Sequence, residues 1–365
     1  GIFVQMKLTV LKTSDPELIR NIATYANSQN KVKTADLNSS HPFYVRMEEY
    51  SRKVYAPVST GQIVQTLWFF ERARGQYEQP LMQMTKRQRD DYKLIRPKSQ
   101  KYTLTDLAKY INASDMLPHY VSWGGEVNAA HFHQNMLELW KKDDRIFNEL
   151  YYKELIGKKI LFEYIGKRIS DQVWYQEKRA YRPQLIAYTF SKLVLHAKAV
   201  KKNINYRMIW DIQAVPECLT EDIERIAKIV FDAIYDESRP NANIETYCKK
   251  EICWKTISNI PYSLTEECYE ILISPAEKSI EVSSAKKEQE AQTEINDFVS
   301  IFRKGANYWL SLITRGQQQG VLSSQDIATL NKAVKFCKQE YLELSPRQIK
   351  DIVKLSRMLA ENGIV

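Results

Sequence analysis

His131 and His133 stand two residues apart, with Glu126 a little upstream. Nitrogen and oxygen donors of this kind can hold zinc when they share a face. The stretch Ala129 to Trp140 has helical periodicity, however, and two positions on a helix lie about 200° apart around the axis. The two rings therefore diverge, and the spacing reads as ordinary helix residues. Cys248 and Cys253 diverge on a helix by about 140° and read as packed core thiols. A magnesium-dependent nuclease centre needs a carboxylate followed downstream by an acid-x-Lys triplet, so that two acids hold the metal and the lysine polarises water. The one such triplet in the basic part of the chain is Asp91-Tyr92-Lys93, with Glu71 or Glu78 to supply the first acid. It sits in a solvated-looking KRQRDDYK run, where such triplets arise by chance. Phosphate-cradling GxxxxGKS or GxxxxGKT, GxGxxG, GxSxG and HExxH are all missing, and Gly157-Lys158 has no upstream glycine at the required spacing. No metal site and no cofactor is expected within these residues, and Mg²⁺ enters only if a region outside them completes a centre.

The charges point elsewhere. The chain has 53 basic and 44 acidic side chains, a net +9, but residues 1–210 hold 34 basic against 20 acidic while residues 211–365 hold 19 against 24. An asymmetry of this kind points the basic half toward a polyanion. Two windows concentrate it: nine basic against three acidic residues from Arg72 to Lys101, and eight against four from Lys153 to Arg182. Tyr77, Tyr92, Tyr102, Trp174, Tyr175 and Tyr181 lie among them, a mixture suited to phosphate contact and base stacking. The plainer reading of such runs is a solvated surface. The candidate contacts are Arg72 and Arg74, which strand alternation would place on one side, and Lys86, Arg87, Arg89 and Lys93, with Tyr77 or Tyr92 to stack. Arg72 and Arg74 could equally be spent on internal salt bridges. Asn27, Gln29 and Asn30 with Lys31 form an amide cluster that could face a base edge or a phosphate, or simply close a helix.

These side chains need elements to position them. Ile2 to Val10 reads as a strand, and Ser14 with Glu17 opens a helix carrying Leu18, Ile19, Ile22 and Tyr25. Further helices are expected from Ser40–Pro42 through Tyr50, over Thr103 to Ile111, Ala129 to Trp140, Leu185 to Lys202 and Asp222 to Tyr235. Leu67 to Phe70 reads as a short strand. Near the end, helices are expected over Glu294 to Leu312, Ser323 to Tyr341 and Ser345 to Ala360, with Ser345-Pro346 as a start signal and Gly363 as a stop. The fold class is α+β and predominantly helical: a mixed α/β part over residues 1–115, a mainly helical domain over 116–257, a loop or linker over 258–290 and a helical unit over 291–365.

Composition narrows the function classes. With 44% hydrophobic and 27% charged residues, 11 glycines and 12 prolines, the chain is neither disordered, collagen-like nor a coiled-coil rod. No apolar run approaches the length of a membrane span, so no membrane partner is expected. Five cysteines without a CxxC pair fit reduced thiols in a cytoplasmic protein. The start, Gly1-Ile2-Phe3-Val4, lacks a signal peptide's basic region and an initiator Met, and reads as the continuation of a longer protein.

Four stretches together resemble the AIPR family, bacterial abortive-infection phage-resistance proteins. They are Thr24 to Lys33 (TYANSQNKVK) with Asp36-Leu37, Phe69 to Glu78 (FFERARGQYE), Asn243 through Trp254, and Gly305 to Ala333. The resemblance implies a part in antiviral defence, by recognising or acting on nucleic acid, and a C-terminal portion of a longer member. It would make Asn27, Gln29 and Asn30 one half of a site begun upstream. Two other readings stay open: a protein-interaction scaffold or homo-oligomer of a defence complex, using the acidic segment 211–300 and the last helices, and a nuclease-like enzyme completed by an upstream region. DNA and RNA are not distinguished.

Overall fold

A computed structural model describes residues 40–58, 64–176, 181–236, 243–339 and 343–364. The expected strand from Ile2, the helix from Ser14 and the amide cluster at Asn27 lie outside the described residues.

Pro42 presets the first turn of α1 (Pro42–Lys53), and His41, in an extended conformation, accepts the Phe43 N–H on Nδ1 at 3.2 Å. Strand β1 (Phe69–Glu71) then pairs in parallel with β2 (Lys101–Thr103), Phe70 opposite Tyr102. Parallel neighbours require a crossover, and here it holds α2 (Gln79–Gln83) and α3 (Lys86–Ile95). Thr103 and Asp106 exchange side-chain and backbone bonds in a capping box that starts α4 (Leu104–Ser114).

Helices follow almost without interruption: α5 (Pro118–Ser122), α6 (Gly125–Lys142), α7 (Glu149–Ser170), α8 (Val173–Gln176) and α9 (Arg182–Ala199). The short β3 (Asn203–Ile204) leads into α10 (Tyr206–Ile212), α11 (Thr220–Ile234), α12 (Ile244–Cys248) and α13 (Glu251–Asn259). β4 (Leu272–Ile273) returns antiparallel to β3. The chain closes with α14 (Pro275–Gln318), α15 (Ser324–Cys337) and α16 (Pro346–Glu361), the last two opened by capping boxes at Ser323 and Ser345. The fold is mostly helical with two small sheets.

The described residues form two units, 40–286 and 287–364, and the division falls inside α14. In the larger unit α9 is buried at every position from Leu185 to Val194, the mark of a helix covered on all sides. Helix α10 lies so close to α7 that a Cβ on Gly157 would stand 2.1 Å from the Tyr206 carbonyl oxygen. No side chain fits there, so this glycine serves packing. The smaller unit packs around Ile301, Trp309, Leu330, Ile352 and Leu359, and Trp309 donates its indole N–H to the Ile301 carbonyl at 3.0 Å.

Residues 258–290 are not the loop expected from their prolines and serines, although the division between the two units falls among them. They hold the end of α13, a 3₁₀ turn over Glu267–Ile271, β4 and the first turns of α14. The reason is local: Ser274 Oγ accepts the Glu277 N–H at 3.2 Å, while Glu277 Oε2 accepts from the Ser274 N–H and hydroxyl. Pro275 is therefore the first residue of a capped helix and not a breaker. Within α14, Gly305 adopts φ +76, which bends the helix there.

The large core carries buried polar groups. Lys192 donates to the carbonyls of Ile257 and Ile260, at 2.9 and 2.6 Å, and so closes the C-terminus of α13. Burial pushes its ammonium down to about 8. Asp222 accepts from the Tyr262 hydroxyl and from the Thr265 backbone and hydroxyl, tying the segment after α13 to α11. Burial, and then the Lys192 charge, push His196 down to about 4. Its folded state thus stays neutral while the unfolded chain takes up a proton below its ordinary value of about 6.5, so stability is full above that value and falls with pH. The thermal midpoint is expected to drop between pH 7 and 5, and His196→Gln should flatten that slope. An unchanged slope in a melting series would remove His196 as the cause.

Candidate nucleic-acid interface

The basic window becomes the β1–β2 crossover, and its geometry is set by what anchors it. β1 ends at Glu71, and the chain turns through residues 73–78 with Gly75 at φ +85, a conformation glycine adopts without strain. Tyr77 then folds back into a small core with Phe69, Leu81, Met84 and Tyr92. Its hydroxyl donates to the Arg96 carbonyl at 2.6 Å, just past the end of α3. The Leu67 N–H donates to the Ile95 carbonyl at 2.8 Å. At the other end Thr85 and Gln88 form a capping box. Helix α3 is thus capped at its start and anchored at its end, and none of its residues is fully buried.

Glu48 on α1 is the hub beneath the turn. Its carboxylate accepts from Arg72 Nε at 2.5 Å, from Arg52 at 3.0 Å and from the Gln76 amide at 3.1 Å, while the Arg52 guanidinium lies 3.8 Å from the Phe69 ring centre. Burial alone would raise its pKa, but the bonds from Arg72 and Arg52 outweigh it and hold the carboxyl below the usual carboxylate range. Sequence reasoning missed this residue, since nothing local in Glu48-Glu49 indicates partners 24 and 28 positions away.

The cations of the window divide into two sets. Lys98 pairs with Glu78 at 2.9 Å, Lys101 with Glu71 at 2.7 Å, Arg72 with Glu48, and Arg96 lies over the Tyr92 ring at 4.9 Å. Arg74, Lys86, Arg87, Arg89 and Lys93 are exposed, and among the described residues none of the five forms an ion pair. Lys86, Arg89 and Lys93 follow each other at three and four residues and share one face of α3. Two expectations are corrected. Arg72 and Arg74 do not share a strand face, because the strand stops at Glu71 and Arg72 is taken by Glu48. Tyr77 cannot stack on a base, because its ring is wholly buried against Phe69 and Tyr92. Asn27, Gln29, Asn30 and Lys31 lie outside the described residues.

In the second basic window most of the described cations are engaged within the fold. Lys153 pairs with Glu149, Lys159 with Glu163 and Arg168 with Glu224, and Arg182 donates to the Gly166 carbonyl at 3.0 Å. Trp174 packs on Phe231 and Tyr175 is buried. The histidine pair diverges as helical spacing requires: His133 bonds the Tyr44 hydroxyl at 3.0 Å, while His131 lies against Tyr120 and Trp123. Among the described residues no group of three or more His, Cys, Asp or Glu side chains could hold a metal ion. Glu71 and Glu78, the acids an Asp91-Tyr92-Lys93 centre would draw on, are each held by a lysine. No described helix is long and apolar enough to cross a membrane.

Removing the Glu48 charge takes away the carboxylate that two half-buried guanidiniums share. The cost should fall between the roughly 0–1 kcal/mol of an exposed pair and the roughly 3–5 kcal/mol of a broken buried one. Glu48→Gln is expected to lower the thermal midpoint by a few degrees, with Glu49→Gln as the control. Equal midpoints for the two variants would show that the hub carries no stability.

No curated protein and no solved structure matches the chain. The AIPR protein family model matches residues 1–238, more than half of the chain and the whole of the crossover; the later stretches from Asn243 and from Gly305 lie beyond that range. On that match, the chain belongs to the AIPR family, whose link is to phage defence.

Proposed function

We propose that this protein serves phage defence by contacting nucleic acid through α3 and the turn that precedes it. One observation carries the reading: Arg74, Lys86, Arg87, Arg89 and Lys93 are exposed without an ion pair, while Arg72, Lys98 and Lys101 around them are spent on carboxylates. Exposed cations clustered on a helix that is capped at its start and anchored at its end are suited to phosphate contact. Each neutralised phosphate releases condensed counterions, which makes such binding strong at low salt and weak at high salt. The net charge of +9 adds long-range attraction.

The test is fluorescence anisotropy with labelled oligonucleotides over a salt series. Binding in the range of about 10⁻⁴–10⁻⁶ M near physiological salt is expected for base-independent contact. Replacing Lys86, Arg89 and Lys93 together by Glu should weaken it at least tenfold and flatten the salt dependence. The melting temperature should be unchanged, since these side chains bury nothing. Binding that survives the triple change intact would dismiss the assignment.

A second reading, an interaction scaffold, is supported by Ile295, Val299 and Phe302. They follow at helical spacing on α14 and are 56%, 37% and 50% exposed. For that role the mass in solution should rise with concentration, and Phe302→Glu should abolish the rise.

A further inference from the structure

Resting on the reading of α3 as a phosphate contact, we infer that its ligand is a nucleic-acid duplex, gripped by its backbone and not read by its bases. The first reason is the absence of a stacking surface. Single-strand binders combine cations with exposed rings on which successive bases stack. Around α3 the rings are turned inward: Phe69, Phe70, Tyr77 and Tyr102 are all at most 2% exposed. Tyr92 is half-buried, with the Tyr77 ring 5.4 Å away at a steep angle and the Arg96 guanidinium over it at 4.9 Å. No described ring of the crossover offers a free face to a base.

The second reason concerns how a helix could read a groove. A helix lying in the major groove has phosphates on both flanks and turns its outward residues to the base edges. Helix α3 would then carry Asp90 and Asp91, both exposed, between two rows of phosphates. Gln88, the amide on α3, has its Oε1 committed to the Thr85 N–H and hydroxyl. The N-terminal N–H of Gln88 is itself taken by Thr85. What remains is the single stripe of Lys86, Arg89 and Lys93, with Asp90 at its edge and Asp91 turned away, and one row of cations suits lying along one backbone.

The third reason is preorganisation. The stripe covers about 10 Å of helix axis at fixed spacing, and a duplex presents about one charge every 1.7 Å, already in place. A single strand must be ordered to meet the stripe, with no stacking to offset that cost.

The experiment compares, at one salt concentration, two unrelated 20-base-pair DNA duplexes, an RNA duplex, a mixed-sequence single strand and oligo-dT. The two DNA duplexes are expected to bind within twofold of each other and at least fivefold tighter than either single strand. The salt slope for duplex DNA is expected at about −3 to −4.5, for three to five phosphate contacts. The RNA duplex separates A-form from B-form backbone and should also exceed the single strands. Single strands that bind as tightly as duplexes, or a tenfold preference between the two DNA sequences, would overturn the inference while the phosphate reading stood. Failure of every oligonucleotide to bind at low salt, or equal binding by the Lys86→Glu, Arg89→Glu, Lys93→Glu variant, would remove both.

Discussion

Two parallel strands cannot be joined by a tight turn, and that constraint shapes everything around the candidate surface. Once β1 and β2 pair with Phe69 opposite Lys101, the chain between them must leave the sheet, pass over it and return. Tyr77, Leu81 and Tyr92 give the crossover just enough apolar surface to sit on Phe69, and the rest of α3 faces solvent. The Glu48 hub locks the departure of the chain at Arg72, and the Tyr77 and Leu67 hydrogen bonds lock its return at Ile95 and Arg96. The position of the basic helix is therefore a result of strand pairing before it is anything to do with a ligand.

The same geometry explains why counting charges overstates a surface. Nine cations in the window suggest one broad positive face, yet the fold spends a third of them on Glu48, Glu71 and Glu78. Lys101 reaches Glu71 because the parallel register brings their strands together, across 30 positions of sequence. In the second window, too, described cations are spent on carboxylates along α7 and on α11. Partners within a helical turn, such as Lys153 with Glu149, can be read from spacing. Partners across a sheet or between helices cannot, because they exist only after the fold does.

What was legible follows the same line. The start signal Ser345-Pro346 is plain in the sequence and caps a helix, and the helices expected from Thr103 and Ser323 begin there, each with that residue as its cap. The amphipathic run from Asp222 is α11, whose inward face holds Ile223, Ile226, Val230 and Ile234. The same serine–proline signal at Ser274-Pro275 is hidden in the sequence by the prolines and serines around it, which point to a loop. Helix α3 went unassigned since KRQRDDYK lacks an apolar stripe, and only its Thr85 cap and two end contacts declare it. For the site, Lys86, Arg87, Arg89 and Lys93 were visible as charges, whereas the burial of Tyr77 and the role of Glu48 are tertiary facts with no sequence signature.

The two kinds of charge in this molecule obey different rules. Lys192 and Asp222 lie inside the large core, where carbonyls hold the ammonium and three donors hold the carboxylate, so a change at either should cost stability. Helix α3 is the opposite case. It is fixed by its cap and its two end contacts, not by its outward side chains, so the residues at positions 86, 89 and 93 answer to no packing demand. Yet all three are cationic and follow each other along one face, with Asp90 beside Lys86 and Lys93. Burial does not account for that arrangement, and it is the one a polyanion lying along the helix would meet.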